Sequence, residues 1–190
     1  SLHWLGGEGF FRWFVFDDPE WDFTTFDFDV DLTYALEKVG PAVDSDNPDL
    51  RALRDNDSKL IVYHGWSDPD ISPVASINYF ENVVELIGDD IRAPNYETAL
   101  HSTQNFFRLF MVPGMGHCAG GPGPDRFDAL SAMENWVEYG IAPDSIQASK
   151  IQDGEITRSR PLRVYPEVAT YTGVGSTDDA ENFYCAAPTN

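Results

Sequence analysis

The chain has 190 residues, 42% of them apolar and 14% aromatic, which suffices for one globular core and excludes a disordered polymer. Twelve basic against thirty-two acidic side chains leave a formal net charge of −20, which repels nucleic acid and anionic membrane surfaces, so neither is an expected partner. No apolar run approaches the roughly 18 residues of a membrane span. Ser1 to Phe16 lacks the basic start and cleavage site of a signal peptide and reads as mid-domain sequence, so any targeting signal would lie upstream.

From Trp4 through Phe28 the chain is crowded with aromatics and broken by Gly6-Gly7 and Asp17-Asp18-Pro19, and it is read as an irregular packed segment. Val30, Leu32, Leu36 and Val39 predict a helix over 29–39, stopped by Pro41. The polar stretch 44–57 predicts a surface connection with one helical turn near Pro48 to Arg54. Lys59 to Gly65 is a short β-branched apolar run, as in a strand buried on both faces of a parallel sheet. Ser72-Pro73 opens a helix whose apolar face holds Ala75, Tyr79, Val83, Leu86 and Ile87, expected to close at Gly88.

After a loop through Pro94, Phe106 to Val112 predicts a second strand, ended by Pro113-Gly114. The loop Gly114 to Pro124 leads to a helix over 127–139, and the tail holds a strand at 145–150 followed by an irregular closure. The order β-loop-α-β-loop-α indicates the α/β class with a parallel sheet.

Loops leaving the C-terminal ends of parallel strands build the active-site crevice. Here they carry Asp68, in His64-Gly65-Trp66-Ser67-Asp68-Pro69-Asp70, and His117, in Gly114-Met115-Gly116-His117-Cys118-Ala119-Gly120-Gly121. A carboxylate that orients an imidazole is the base half of a nucleophilic triad, and Asp68 before His117 obeys the Ser, Asp, His chain order of α/β-hydrolases. An Asp after a strand is often only a turn or cap residue, which is also open to Asp70. His64, at the strand end, is read as a packing or supporting residue. No G-x-S-x-G elbow occurs, and Ser67 adjoins Asp68 too closely to be its nucleophile, so the nucleophile is expected outside this chain. Cys118 and Cys185 show no C-x-x-C spacing for a metal or redox site; pairing with each other and pairing outside the chain both stay open.

The strings KLIVYHGWSDPDISP (59–73) and FRLFMVPGMGHCAGGPGP (107–124), then WVEYG at 136–140 and APD at 142–144, resemble the tannase and feruloyl esterase family. So does the tail from Arg160-Pro161-Leu162 through Tyr165-Pro166 to Asn182-Phe183-Tyr184-Cys185. The resemblance implies a secreted or periplasmic serine esterase of the α/β-hydrolase fold, acting on small aromatic (phenolic) esters. Asp68 would be the triad acid, His117 the base, and Cys118 the disulfide partner of a cysteine preceding the nucleophilic Ser. It implies that the chain is the C-terminal part of the sheet with its flanking helices (30–190), preceded by the exit of an inserted lid domain (1–29), and that the fragment is inactive without its N-terminal half. The family's lid often holds a structural calcium; no cofactor and no calcium ligand is assigned to this chain. Arg163 stands where the family commonly has a cysteine paired near the C-terminus, which leaves the state of Cys185 open. The competing readings are a non-catalytic ligand-binding module and a peptidase of the same fold.

Overall fold

The computed structural model describes residues 2–187, in two compact units, 1–47 and 48–190. In the first, the stretch expected to be irregular is helical in its first part, where α1 (Leu2–Gly9) runs into a π-helical segment, Phe10–Phe16, ended by Asp17 in the left-handed conformation (φ 53°), and irregular beyond it except for one turn at Phe23–Thr25. Periodicity missed it because the rings do not form one stripe. They pack on neighbours instead, Phe11 against Trp21 and Phe26, and Phe16 against Trp21 and Tyr34. Such tertiary packing, more than intrinsic propensity, sustains short helices. Helix α2 (Val30–Lys38) matches the expected span, but Pro41 does not end helical structure. It lies in the first turn of α3 (Gly40–Val43), where a missing N–H costs nothing.

The second unit opens with α4 (Arg51–Asp55) and β1 (Leu60–Gly65). Helix α5 (Pro73–Ile91) continues through Gly88, the expected stop. A Cβ at Gly88 would lie 2.8 Å from the Ala99 side chain, so that glycine lets the next helix approach, and Arg92 (φ 54°) ends α5 instead. That next helix, α6 (Tyr96–Gln104), fills a stretch between the loop through Pro94 and the second strand for which no element was predicted. Its signal was present: Asn95 caps it by accepting the Thr98 N–H at 2.9 Å.

Strand β2 (Phe107–Val112) pairs with β1 in parallel, from Leu60 opposite Phe107 to Gly65 opposite Val112. The two strands differ in burial. β2 is almost wholly buried, whereas Tyr63 of β1 is 45% exposed and β1 has a single strand neighbour among the described residues. Phe80, Val83, Val84 and Ile87 of α5 pack with Phe106, Phe107 and Leu109 as the main core.

The rest of the sheet structure is antiparallel. Phe127 belongs to β3 (Arg126–Phe127), and helix α7 (Ala129–Tyr139) starts later than expected because Asp128 caps it. The tail holds more order than its composition suggested. β4 (Ser145–Gln152) turns through Asp153-Gly154, both at positive φ, into β5 (Glu155–Arg163). An Asp-Gly pair between two strands is a strong hairpin signal. β6 (Val168–Tyr171) and β7 (Phe183–Ala186) form a second hairpin. A bridge between Phe110 and Val164 ties the end of β5 to β2.

Candidate active site

Because β1 and β2 run in register, Gly65 and Val112 end at the same level and the loops that follow leave side by side. They are laced together by backbone. The Trp66 N–H donates to the Val112 carbonyl and the Ser67 N–H to the Met115 carbonyl, each at 2.9 Å. Gly65 makes this approach possible, since a Cβ there would stand 2.2 Å from the Met115 carbonyl oxygen and 2.6 Å from that of Gly116. Met115 is itself buried, which anchors the base of the second loop in the core.

Asp68 sits at the centre of this arrangement, its side chain only 4% exposed. Oδ1 accepts the N–H groups of Asp70 (2.8 Å) and Ile71 (3.0 Å). Oδ2 meets His117 Nδ1 at 2.9 Å and His64 Nε2 at 3.1 Å. Sequence spacing pointed to Asp68 and His117, and the fold brings them into direct contact. It also brings in His64, whose supporting position is now concrete. Its Nε2 faces two acceptors, Asp68 Oδ2 and the Ile71 carbonyl at 3.2 Å, and so carries the proton, leaving Nδ1 to accept from the Ser76 hydroxyl at 2.7 Å.

Burial pushes the Asp68 carboxyl upward, but the hydrogen bonds from Ile71, His117 and Asp70 and the His117 charge outweigh it and hold the group well below the usual carboxylate range. His117 shifts the other way. The Asp68 hydrogen bond and charge raise its imidazole above the ordinary value, against a smaller desolvation effect. With Nδ1 committed to Asp68, and the side chain 45% exposed, Nε2 is the ring atom left for a reacting group.

A raised folded-state value means that the pair's stabilisation through His117 is fully present below the unfolded imidazole value of about 6.5 and is lost as pH rises through the folded value. An NMR titration of the His117 ring is therefore expected to show a midpoint above about 6.5, and Asp68→Asn to bring it down. A midpoint that the substitution leaves in place would show the contact to be absent in solution.

Asp68, Asp70 and His117 also form the one grouping among the described residues whose ligand atoms lie within 4.8 Å of one another as a metal site requires. The Asp68 oxygens receive four hydrogen-bond contacts, from His64, Asp70, Ile71 and His117. Cys118 follows His117 with φ 61°, strained for a residue with a side chain. Cys118 and Cys185 are both free thiols, so the structure contains no disulfide among its described residues; Cys185 donates to Glu167.

The family model described as "Tannase and feruloyl esterase" matches residues 7–186. The chain belongs to the tannase and feruloyl esterase family. An uncharacterized esterase of Xanthomonas campestris pv. campestris is 40% identical, the match covering 93% of this chain and 35% of the relative. A mono(2-hydroxyethyl) terephthalate hydrolase of Piscinibacter sakaiensis is 39% identical over 86% of this chain and 26% of its own length. Among solved structures, feruloyl esterase B from Aspergillus oryzae superposes with a TM-score of 0.80 at 28% identity, covering 94% of this chain and 36% of that one. The chain thus has the α/β-hydrolase fold of the tannase and feruloyl esterase family and spans about a third of the length of the first of these relatives. No helix among the described residues is long and apolar enough to cross a membrane.

Sequence reasoning missed the groups that hold the His117 loop from behind. The Asp125 carboxylate accepts the Gly120 N–H at 2.7 Å and the Lys150 ammonium at 3.1 Å, and Lys150 also donates to the Gly121 carbonyl at 2.8 Å. A capping-like Asp after a glycine loop was visible, but its partner lies 25 residues away on β4.

Proposed function

We propose that this chain supplies the acid, Asp68, and the base, His117, of a serine carboxylesterase that hydrolyses esters of aromatic acids, with the nucleophilic Ser contributed by residues upstream. The observation that carries this reading is the His117 Nδ1 contact of 2.9 Å to a nearly fully buried carboxylate at the C-terminal end of paired parallel strands. In that geometry Nε2 takes the proton of a serine hydroxyl as it attacks the ester carbonyl, and Asp68 stabilises the imidazolium so formed. The imidazolium then protonates the leaving alcohol, and water repeats the cycle on the acyl-enzyme. No cofactor bound by this chain is needed for these steps.

Three observations support the missing nucleophile. No elbow sequence is present. The chain covers 26% and 35% of two family relatives, and β1 offers an edge with no strand partner among the described residues. We read residues 1–29 as the exit of the inserted lid and 30–190 as the C-terminal part of the hydrolase domain. We read Cys118, an exposed free thiol next to His117 in the chain, as the partner of a cysteine beside the serine. The substrate class follows the relatives, one named for a terephthalate ester and one for feruloyl esters. The same likeness favours action outside the cytoplasm.

The test compares two proteins. The 190-residue chain is expected to give no hydrolysis of methyl ferulate or methyl gallate above background, because the nucleophile and the oxyanion donor that follows it are both absent. The chain extended upstream through its elbow is expected to turn over at least one of these esters. Turnover by the short chain would overturn the reading.

A further inference from the structure

The loop from Gly114 to Gly123 that presents His117 is closed by few bonds of its own. The Gly123 N–H donates to the Gly114 carbonyl (2.9 Å), Gly116 N–H to Gly120 (3.1 Å) and Ala119 N–H to His117 (2.7 Å). Gly114, Cys118, Gly120 and Gly121 all lie at positive φ, so the path is one that an unsupported chain would leave. The support comes from outside the loop. Asp125, its side chain 6% exposed, accepts the Gly120 N–H, and the Lys150 ammonium, 17% exposed, bonds both the Asp125 carboxylate and the Gly121 carbonyl. Two successive residues are thus gripped by one carboxylate and one ammonium. Both grips are fixed to the antiparallel sheet, where the Asp125 N–H donates to Ser149 and Arg126 pairs opposite Ser149, next to Lys150.

Removing a nearly buried carboxylate and its ammonium from water costs about as much as their attraction returns, so a pair of this kind is weak evidence of added stability. Among the described residues neither side chain bonds His117 or Asp68. Their effect must pass through the loop backbone.

We propose that Asp125 and Lys150 are positioning residues for the imidazole: the clamp on Gly120 and Gly121 sets the loop so that His117 Nδ1 reaches Asp68. The significance for catalysis rests on reading His117 as the base, but the positioning itself is tested without any reaction.

The experiment is the NMR titration of the His117 ring in the 190-residue chain, for the wild type and for Asp125→Ala, Lys150→Met and Asp68→Asn, with core methyl signals such as Leu109 reporting that each variant is folded. Besides His117 itself, the charged groups facing the ring are Asp68 and Asp70. Loosening the clamp weakens the Asp68 contact, so both clamp variants are expected to lower the midpoint, each by at least half of the drop produced by Asp68→Asn. A through-space charge effect predicts something else: losing the Asp125 anion lowers the midpoint, while losing the Lys150 cation raises it. Opposite shifts, or no shift in two folded variants, would overturn the proposal. Should Asp125→Ala fail to fold, Lys150→Met and the charge-preserving Lys150→Arg decide alone, the first lowering the midpoint and the second moving it less. Failure of the esterase reading shows elsewhere, as turnover that survives His117→Ala in the extended protein.

Discussion

In the chain extended through its nucleophile, Asp68→Asn is expected to lower kcat for a turned-over aromatic ester by about 10⁴-fold, with KM little changed. The size of the effect follows from how the side chain is held. Oδ1 accepts two backbone N–H groups, from Asp70 and Ile71, and an amide oxygen is the only part of Asn that can take over that place. The amide nitrogen is then forced toward His64 and His117, where Oδ2 now lies. There it donates to His117 Nδ1, puts the imidazole proton on Nε2, and leaves no lone pair to receive the serine proton. The same amide meets the His64 Nε2–H donor to donor, so His64 must turn its ring or move its proton to Nδ1, where the Ser76 hydroxyl becomes the acceptor. His117→Ala removes the base altogether and is expected to bring turnover to background. Steady-state kinetics on both variants check this. An Asp68→Asn enzyme within tenfold of wild type would mean that Asp68 is a loop-forming residue only, the role its two backbone contacts would also suit.

Gly65→Ala is expected to damage the site without touching either titrating group. The added methyl would need to occupy the space 2.2 Å from the Met115 carbonyl oxygen and 2.6 Å from that of Gly116, both backbone atoms that no rotamer change can move aside. The loops must separate, and the bonds Trp66 to Val112 and Ser67 to Met115 that lace them are the first to lengthen. Overpacking of this kind costs about 1–3 kcal/mol, to be read as a lower urea midpoint at unchanged m-value. Because the displaced segment leads directly to His117, the ring should also titrate closer to its unperturbed value. Gly120→Ala is the informative contrast. Its Cβ would meet nothing within 4 Å, so its cost is only the left-handed backbone at φ 73°, about 1–2 kcal/mol, without a clash between the loops. Equal effects of the two substitutions on the His117 ring would remove the close approach at Gly65 as the reason for the site's geometry.

Two strands, the helix between them and the loops carrying Asp68 and His117 were legible in the amino-acid sequence because each is a local pattern: a β-branched run ended by Gly, a helical apolar face, glycines around one histidine. The PGMGHC string and its companions pointed to the family for the same reason, since a motif is a run of neighbours. What the tertiary structure alone decided depends on residues far apart. The π-helical segment exists through ring packing that no single period encodes. Gly88 looked like a helix end, yet it serves the approach of Ala99. His64 became a partner of Asp68 only once the strand end and the start of α5 placed Ser76 on its other nitrogen. Asp125 and Lys150 meet because β3 and β4 pair in one register. Local composition selects the elements and the candidate groups. Which side chains share a hydrogen bond is decided by strand register and close glycine contacts, and these are properties of the packed chain.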